Sequence, residues 1–178
     1  MKVMITGASG ILGSSCVAVF STMGHNVQAL SHKKLRNMSS FKIAELLSSV
    51  DLVIHAAANT NVEQCEIDPD SCYRDNLILT EIVATACSIS DIRLVYISST
   101  GVYGDYQNTA YREYSKTSPT THHHASKLLG EKAVLAASAD NLIVRVGWLF
   151  GGTINSPKNF VSRRLEEAKE LALSGKVL

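Results

Sequence analysis

The chain has 178 residues, a formal net charge of +1, and is 46% hydrophobic and 19% charged. That length fits one domain able to bury roughly 70% of the surface its unfolded chain exposes. The near-neutral balance excludes a global field for recruiting nucleic acid or an acidic membrane, and no apolar run is long enough to span a bilayer.

The N-terminus enters a strand at once, with no cleavable signal before it. The four cysteines (Cys16, Cys65, Cys72 and Cys87) show no C-x-x-C spacing. They read as small apolar packing residues of a reducing, cytoplasmic setting.

Apolar runs and helical stretches then alternate along the chain. KVMIT (2 to 6) reads as a buried strand. Ile11, Leu12, Ser15, Cys16, Val19 and Phe20 fall on one helical face, and Gly24 is placed to end that helix. VQAL (27 to 30) is a second strand, and 40 to 48 a short helix. DLVIHAAA (51 to 58) is a third strand running into a small-residue turn, followed by a long helix over 70 to 89. RLVYIS (93 to 98) is a fourth strand, and 99 to 120 a long polar loop. A helix over 121 to 138, a fifth strand NLIVRVGWLF (141 to 150), a loop GGTINSPKN and an amphipathic helix over 160 to 174 complete the pattern.

Strands that are apolar on both faces and alternate with helices predict an α/β fold. The expected form is a doubly wound parallel sheet, a Rossmann fold, with helices on both faces. Its crevice lies at the carboxyl ends of the strands, where 7 to 13, 31 to 37, 55 to 60 and 98 to 101 all fall. A loop as long as 99 to 120 is uncommon in a compact domain unless it works, so it counts as a site element.

Thr6-Gly7-Ala8-Ser9-Gly10-Ile11-Leu12-Gly13 follows the first strand and opens the first helix. Gly7 permits a tight turn, Gly10 a close backbone approach to a pyrophosphate, and Gly13 close helix–strand packing. Free N–H groups and the helix dipole favour an anion there. Ser9, Ile11 and Leu12 are counted with the glycines as cofactor-binding. A glycine-rich turn that only connects is the alternative. Its position after the first strand of an alternating pattern puts dinucleotide binding ahead.

NAD-selective domains usually end the second strand with an acid that takes the adenosine ribose. Here the strand ends Leu30-Ser31-His32-Lys33-Lys34, with Arg36 beyond. An acid is missing and cations are present, which favours NADP(H), with NAD(H) as the alternative. The other reading of Lys33, Lys34 and Arg36 is a solvated basic turn.

The G-x-x-G-x-x-G spacing with its preceding Thr resembles the extended short-chain dehydrogenase/reductase superfamily. HAAANTNVEQCEIDPDSCYRDN (55 to 76), YISSTGVYGD (96 to 105) and LIVRVGWLFGG (142 to 152) resemble the dTDP-4-dehydrorhamnose reductases and related nucleotide-sugar epimerases. The resemblance covers essentially the whole chain. It implies that Asn37 and Met38 lie near the adenine, and that Ala56, Ala57, Ala58 and Thr60 line the nicotinamide-side phosphate and ribose.

It also implies a catalytic set: a Ser/Thr that holds the substrate carbonyl, a Tyr that moves the proton, and a Lys on the nicotinamide ribose. Ser99 falls on the hydroxyl position, with Thr100 as fallback, and Lys127 matches the lysine. Asn76 matches an Asn that relatives place near the site. His123 stands where the tyrosine belongs, four residues before the lysine and on the same helix face. An imidazole titrates near neutral pH, but it is shorter than a phenol, and Lys127 would disfavour its protonated form. Either His123 replaces the acid–base or it is a passive filler.

His122 and His124 point to either side of it, and three adjacent helical histidines do not converge on one ion, so no metal site is expected. Tyr103, Tyr106, Tyr111 and Tyr114 lie in the long loop with nothing in the sequence to bring them into the site. Dehydratases carry an acid just after the Ser/Thr, where this chain has Thr100 and Gly101, so dehydratase chemistry is disfavoured.

The expected protein is an NAD(P)-dependent oxidoreductase acting on a nucleotide-linked keto-sugar. A catalytically silent dinucleotide-binding or regulatory module is the alternative. Residues 1 to 178 read as the dinucleotide-binding domain. The sixth strand would begin near Gly175, so most of the family's substrate domain is expected to be absent, as in a fragment or a short form. The resemblance further implies a homodimer through the helices holding 70 to 89 and 121 to 138.

Overall fold

The computed structural model describes residues 1–152 and 159–174. Most of the GGTINSPKN loop and the expected start of a sixth strand lie outside the described residues.

The chain runs β1 (Lys2–Thr6), α1 (Ile11–Thr22), β2 (Asn26–Leu30), α2 (His32–Leu35), α3 (Ser40–Leu47) and β3 (Leu52–His55). It continues through α4 (Val62–Ile67), α5 (Pro69–Tyr73), a π turn (Arg74–Ile78), α6 (Leu79–Ile89) and β4 (Arg93–Ser99). A 3-10 turn (Thr100–Tyr103), α7 (His122–Ala137), β5 (Leu142–Val146) and α8 (Phe160–Leu173) follow. All pairings are parallel, in the order β2-β1-β3-β4-β5. The doubly wound expectation holds, and the carboxyl ends of all five strands share one edge. The order reverses between β1 and β3, which puts the crevice outside those two strands.

Several boundaries differ from the sequence reading. The third strand stops at His55 because the backbone leaves the ladder at the small-residue turn. The long helix divides at the π turn, and α2 and α4 were not foreseen. Both are short, and each is made by a local cap: Ser31 accepts from Lys34 N–H, and Asn61 from Gln64 N–H. The long loop begins as a 3-10 turn capped by Ser99. The fifth strand ends at Val146, and Trp148, Leu149 and Phe150 are exposed.

Two apolar clusters flank the sheet. The larger joins Met4, Val53, Leu94 and Tyr96 to Ile43 and Leu47 of α3, Val83 and Cys87 of α6, and Val134 of α7. The smaller joins Val3, Ile5 and Ile54 to Cys16, Val17 and Phe20 of α1. The face expected for α1 is therefore rotated: Val17 packs inward, whereas Val19 is 54% exposed and Ser15 is exposed. Inward rows at i, i+1 and i+4 centre the stripe one residue later than the sequence suggested. All four cysteines are free thiols, three of them buried.

Helix α7 descends onto the sheet because Gly130 has no side chain. A Cβ there would stand 2.4 Å from Tyr96 Oη and 3.2 Å from the Asn76 carbonyl oxygen. Overpacking of this kind costs about 1–3 kcal/mol. Gly130→Ala is expected to lower the unfolding free energy by that amount, read as a lower urea midpoint at unchanged slope. A Tyr96→Phe background should recover part of the loss.

Candidate functional site

The loop after β1 is built by exclusion. Gly7 has φ +69°, and a Cβ on it would stand 2.6 Å from Ala56 C and Ala57 N. A Cβ on Gly13 would stand 2.1 Å from Gly7 O. These two glycines press the loop against the turn after β3 and against the first turn of α1. Gly13 therefore serves the loop's own backbone rather than the strand. Gly10 caps α1 without a side-chain hydrogen bond, so no side chain occupies that helix start. Ser9 is exposed, and Ile11 and Leu12 are half-buried. An uncapped twelve-residue helix start, facing a turn of alanines, suits an anion.

After β2, Ser31 is spent as the cap of α2, and Lys33 and Lys34 are exposed. Arg36 is not part of a free basic patch. Its Nε donates to Asp75 Oδ1 at 2.7 Å, and its Nη2 closes the second arm on Oδ2. His32 Nε2 lies 3.5 Å from the same buried carboxylate. Asp75 sits on the π turn, 3% exposed, and a buried carboxylate takes the nearest guanidinium. Asn37 is exposed, its Nδ2 donating to Lys33 O, and Met38 packs against the larger core. Ala57 is buried while Ala56 and Ala58 are half-buried; Thr60 is exposed.

Helix α7 crosses the end of β4 through three contacts. Lys127 Nζ lies 4.1 Å from the Tyr96 ring centroid. Ser98 Oγ donates to Glu131 Oε1 at 2.5 Å. The His124 ring covers Gly101 so closely that a Cβ there would stand 2.1 Å from Nε2. Ser99 Oγ accepts Gly101 N–H at 3.1 Å, which leaves its own proton free to donate. Thr100 is exposed. Asn76 is fully buried and bridges elements: its Nδ2 donates to Ser126 Oγ at 3.1 Å and to Asn59 O at 3.0 Å.

His123 is 8% exposed, and its Nδ1 has no hydrogen-bond partner. Burial first, then His124, then Lys127, lower its pKa to about 4. Lys127 acts in the expected direction but ranks behind burial. Lys127 itself is 4% exposed and is pulled down to about 7 by burial, against the attraction of Glu131 and then Cys72. His122 is exposed beside Tyr73, and its N–H donates to Glu66 Oε1 at 2.7 Å. Thr121 caps the same helix end, so this N-terminus is filled where that of α1 is not.

The loop tyrosines are spent within their own surroundings. Tyr103 Oη accepts from Arg145 at 2.8 Å and its ring stacks on Tyr111. Tyr106 Oη donates to Lys116 O at 2.7 Å, and Tyr114 is 80% exposed. Three residues escaped the sequence reading: Tyr96 beneath Lys127, and the pair Glu131–Arg145. The period-2 pattern of β4 places Leu94, Tyr96 and Ser98 on one face, and Glu131 lies one helical turn after Lys127; those were the available signals.

Buried Glu131 and half-buried Arg145 form a fork, with Nε to Oε1 at 2.9 Å and Nη2 to Oε2 at 2.7 Å. Arg145 Nη1 also donates to Glu113 O at 2.9 Å, tying down the long loop.

The sheet order and the glycine loop at its switch point define a doubly wound parallel domain of the Rossmann type. Within that class, the chain belongs to the RmlD substrate binding domain family, which it matches over residues 1–174. It is 32% identical over 165 residues to a dTDP-4-dehydrorhamnose reductase of Mycolicibacterium smegmatis, covering 92% of this chain and 50% of that one. Crystal structures of dTDP-4-dehydrorhamnose reductases superpose on it. That from Clostridium acetobutylicum has TM-score 0.86 at 27% identity, over 96% of this chain and 60% of that one. That from Bacillus anthracis, in complex with NADP, has TM-score 0.84 at 29% identity, over 95% and 60%. The chain thus spans between about half and three-fifths of the length of these relatives. Among the described residues, no helix is long and apolar enough to cross a membrane.

Two predictions follow from the buried charges. Removing one partner of a buried pair costs about 3–5 kcal/mol, because the other is left uncompensated, whereas replacing both is far cheaper. Glu131→Gln and Arg145→Met are each expected to lose stability on that scale, and the double variant less than their sum, as a thermodynamic cycle by denaturant melts will show. For Lys127, the folded pKa of about 7 lies below the ordinary lysine value of 10.5. The unfolded chain then holds more protons between those values, so stability rises with pH across that window. Lys127→Met is expected to flatten the rise, measured as the urea midpoint at both ends of the window.

Proposed function

We propose that the chain is the cofactor-binding half of an NADP(H)-dependent reductase acting on a nucleotide-linked keto-sugar. The observation that carries this is the juxtaposition of an uncapped helix start, closed down by Gly7 and Gly13, with a lysine helix at the same sheet edge. The relatives, with NADP in one of them, supply the reaction class.

The crevice at β1 and β3 takes the pyrophosphate on the N–H groups of α1. Lys33 and Lys34, exposed and without a carboxylate at the end of β2, take the ribose 2′-phosphate. Bound NADPH supplies the hydride. Ser99 Oγ–H points its free proton at the substrate carbonyl, and Lys127 holds the nicotinamide ribose. His123 stands beside them as an unpartnered imidazole, neutral near pH 7, with Lys127 as the protonatable group on its face. The setting is cytoplasmic, and the half-exposed Ile78, Ile89 and Leu135 support a homodimer through the helices holding 69–89 and 122–137.

The second reading, a silent dinucleotide-binding module, rests on the burial of His123 in place of a phenol. The two separate at position 123. His123→Tyr that creates turnover of a keto-sugar nucleotide favours the silent module, whereas a fall from an existing rate makes His123 catalytic.

Calorimetric titration tests the cofactor assignment first. NADPH should bind more tightly than NADH, and Lys33→Ala with Lys34→Ala should weaken NADPH about tenfold, the worth of a charge-assisted hydrogen bond, while leaving NADH unchanged. Equal binding of both cofactors would refute the 2′-phosphate assignment.

A further inference from the structure

We propose that His55 is a positioning residue that couples the phosphate loop to the first turn of α7. It rests on the cofactor reading above and extends it to a route inside the protein.

His55 is fully buried at the end of β3, and its hydrogen bonds can be given directions. Thr80 Oγ1 donates to the Asn76 carbonyl at 2.7 Å, so its single proton is spent. At His55 Nε2, 3.2 Å away, that oxygen must accept, which puts the imidazole proton on Nε2. Nδ1 is then bare and accepts from Thr6 Oγ1 at 2.7 Å. Thr6 Oγ1, its own proton spent, accepts the Ala57 N–H at 3.3 Å. Every group in the series has one role, and one tautomer satisfies them all.

The two ends of the series lie at different parts of the site. Thr6 is the residue before Gly7, and Ala57 is the backbone against which Gly7 is pressed. At the other end, Asn76 donates to Ser126 Oγ at 3.1 Å, and Ser126 Oγ donates to the His123 carbonyl at 2.7 Å. Asn76 also holds the turn after β3 through the Asn59 N–H, 2.8 Å from its Oδ1. A shift of the Gly7–Ala57 contact on cofactor binding is thus carried through His55 and the π turn to the backbone of His123. Burial first, then Lys127 and His32, keep the imidazole neutral and hold its pKa at about 3. Its ring stacks on Tyr96, the ring that carries the Lys127 ammonium on its face.

The test uses 2′-phosphoadenosine 5′-diphosphate, which carries both phosphate-binding parts of NADP but neither the nicotinamide nor its ribose, and so does not reach Lys127. Binding is followed by calorimetry and, at saturation, by amide hydrogen exchange of residues 122 to 130. In the natural chain the probe should slow exchange there severalfold. His55→Phe should bind the probe and leave α7 unchanged. His55→Gln, whose amide nitrogen can stand for Nε2, should restore part of the effect. Should the Phe variant fail to fold, Thr80→Val breaks the same series with its shape kept, and the same loss is expected. Saturable binding without any change in α7 of the natural chain, or an equal change in the Phe or Val variant, would overturn the coupling. No binding by the natural chain would overturn the cofactor reading and the coupling with it.

Discussion

Taking the Glu131 carboxylate out of water costs several kcal/mol, and the site edge depends on how that cost is offset. Arg145 closes both oxygens, and Ser98 donates to one of them. The three groups come from α7, β5 and β4, so satisfying one charge fixes the relative placement of the helix and two adjacent strands. Arg145 then spends its remaining arm on Tyr103 and the Glu113 carbonyl, which pins the 3-10 turn and the long loop. The loop is therefore held by a side chain whose first obligation lies in the core. That explains how so long a polar segment is kept in place at the sheet edge.

The same constraint shapes the charge of the site. Lys127 lies one turn before Glu131, close enough for the carboxylate to support its ammonium, yet burial still lowers its pKa to about 7. Arg145 matches Glu131 in a bidentate fork, and the attraction of Glu131 for the lysine does not offset the cost of burying its ammonium. The Tyr96 face lies beneath the ammonium and attracts it through its quadrupole. A lysine balanced in this way is more sensitive to an arriving anion than one paired outright.

How legible this was depended on the range of each interaction. The glycine loop, the five strands and the lysine helix were readable, because turn chemistry and apolar periodicity act within a few residues. Arg36 was misread as a free cation because its partner Asp75 lies 39 residues away, on a π turn that no local pattern announces. Val19 falls outside because the rotation of the α1 stripe depends on the sheet it meets. The division of 70 to 89 was invisible for a similar reason: the π turn places Asp75 and Asn76 toward distant partners, and only the folded chain rewards that geometry.

The histidine run shows the same division between local and distant causes. Sequence spacing put His123 on the face of Lys127, but the fate of its neighbours was set by what they meet. His122 turns out toward Tyr73, while His124 turns onto Gly101, where any side chain would collide with it. Glycine at 101 and histidine at 124 are thus a matched pair, and the space usually open to a residue-101 side chain is filled from α7 instead. That filling crowds His123 from one side as Lys127 bounds it from the other. Both neighbours, together with burial, oppose a second proton on the ring. A phenol at 123 would meet the opposite electrostatics, since nearby cations stabilise a phenolate. Lys127 thus acts oppositely on the two charged forms, disfavouring an imidazolium at 123 and favouring a phenolate there. Burial lowers the pKa of both groups, with His123 pushed further from neutral pH than Lys127.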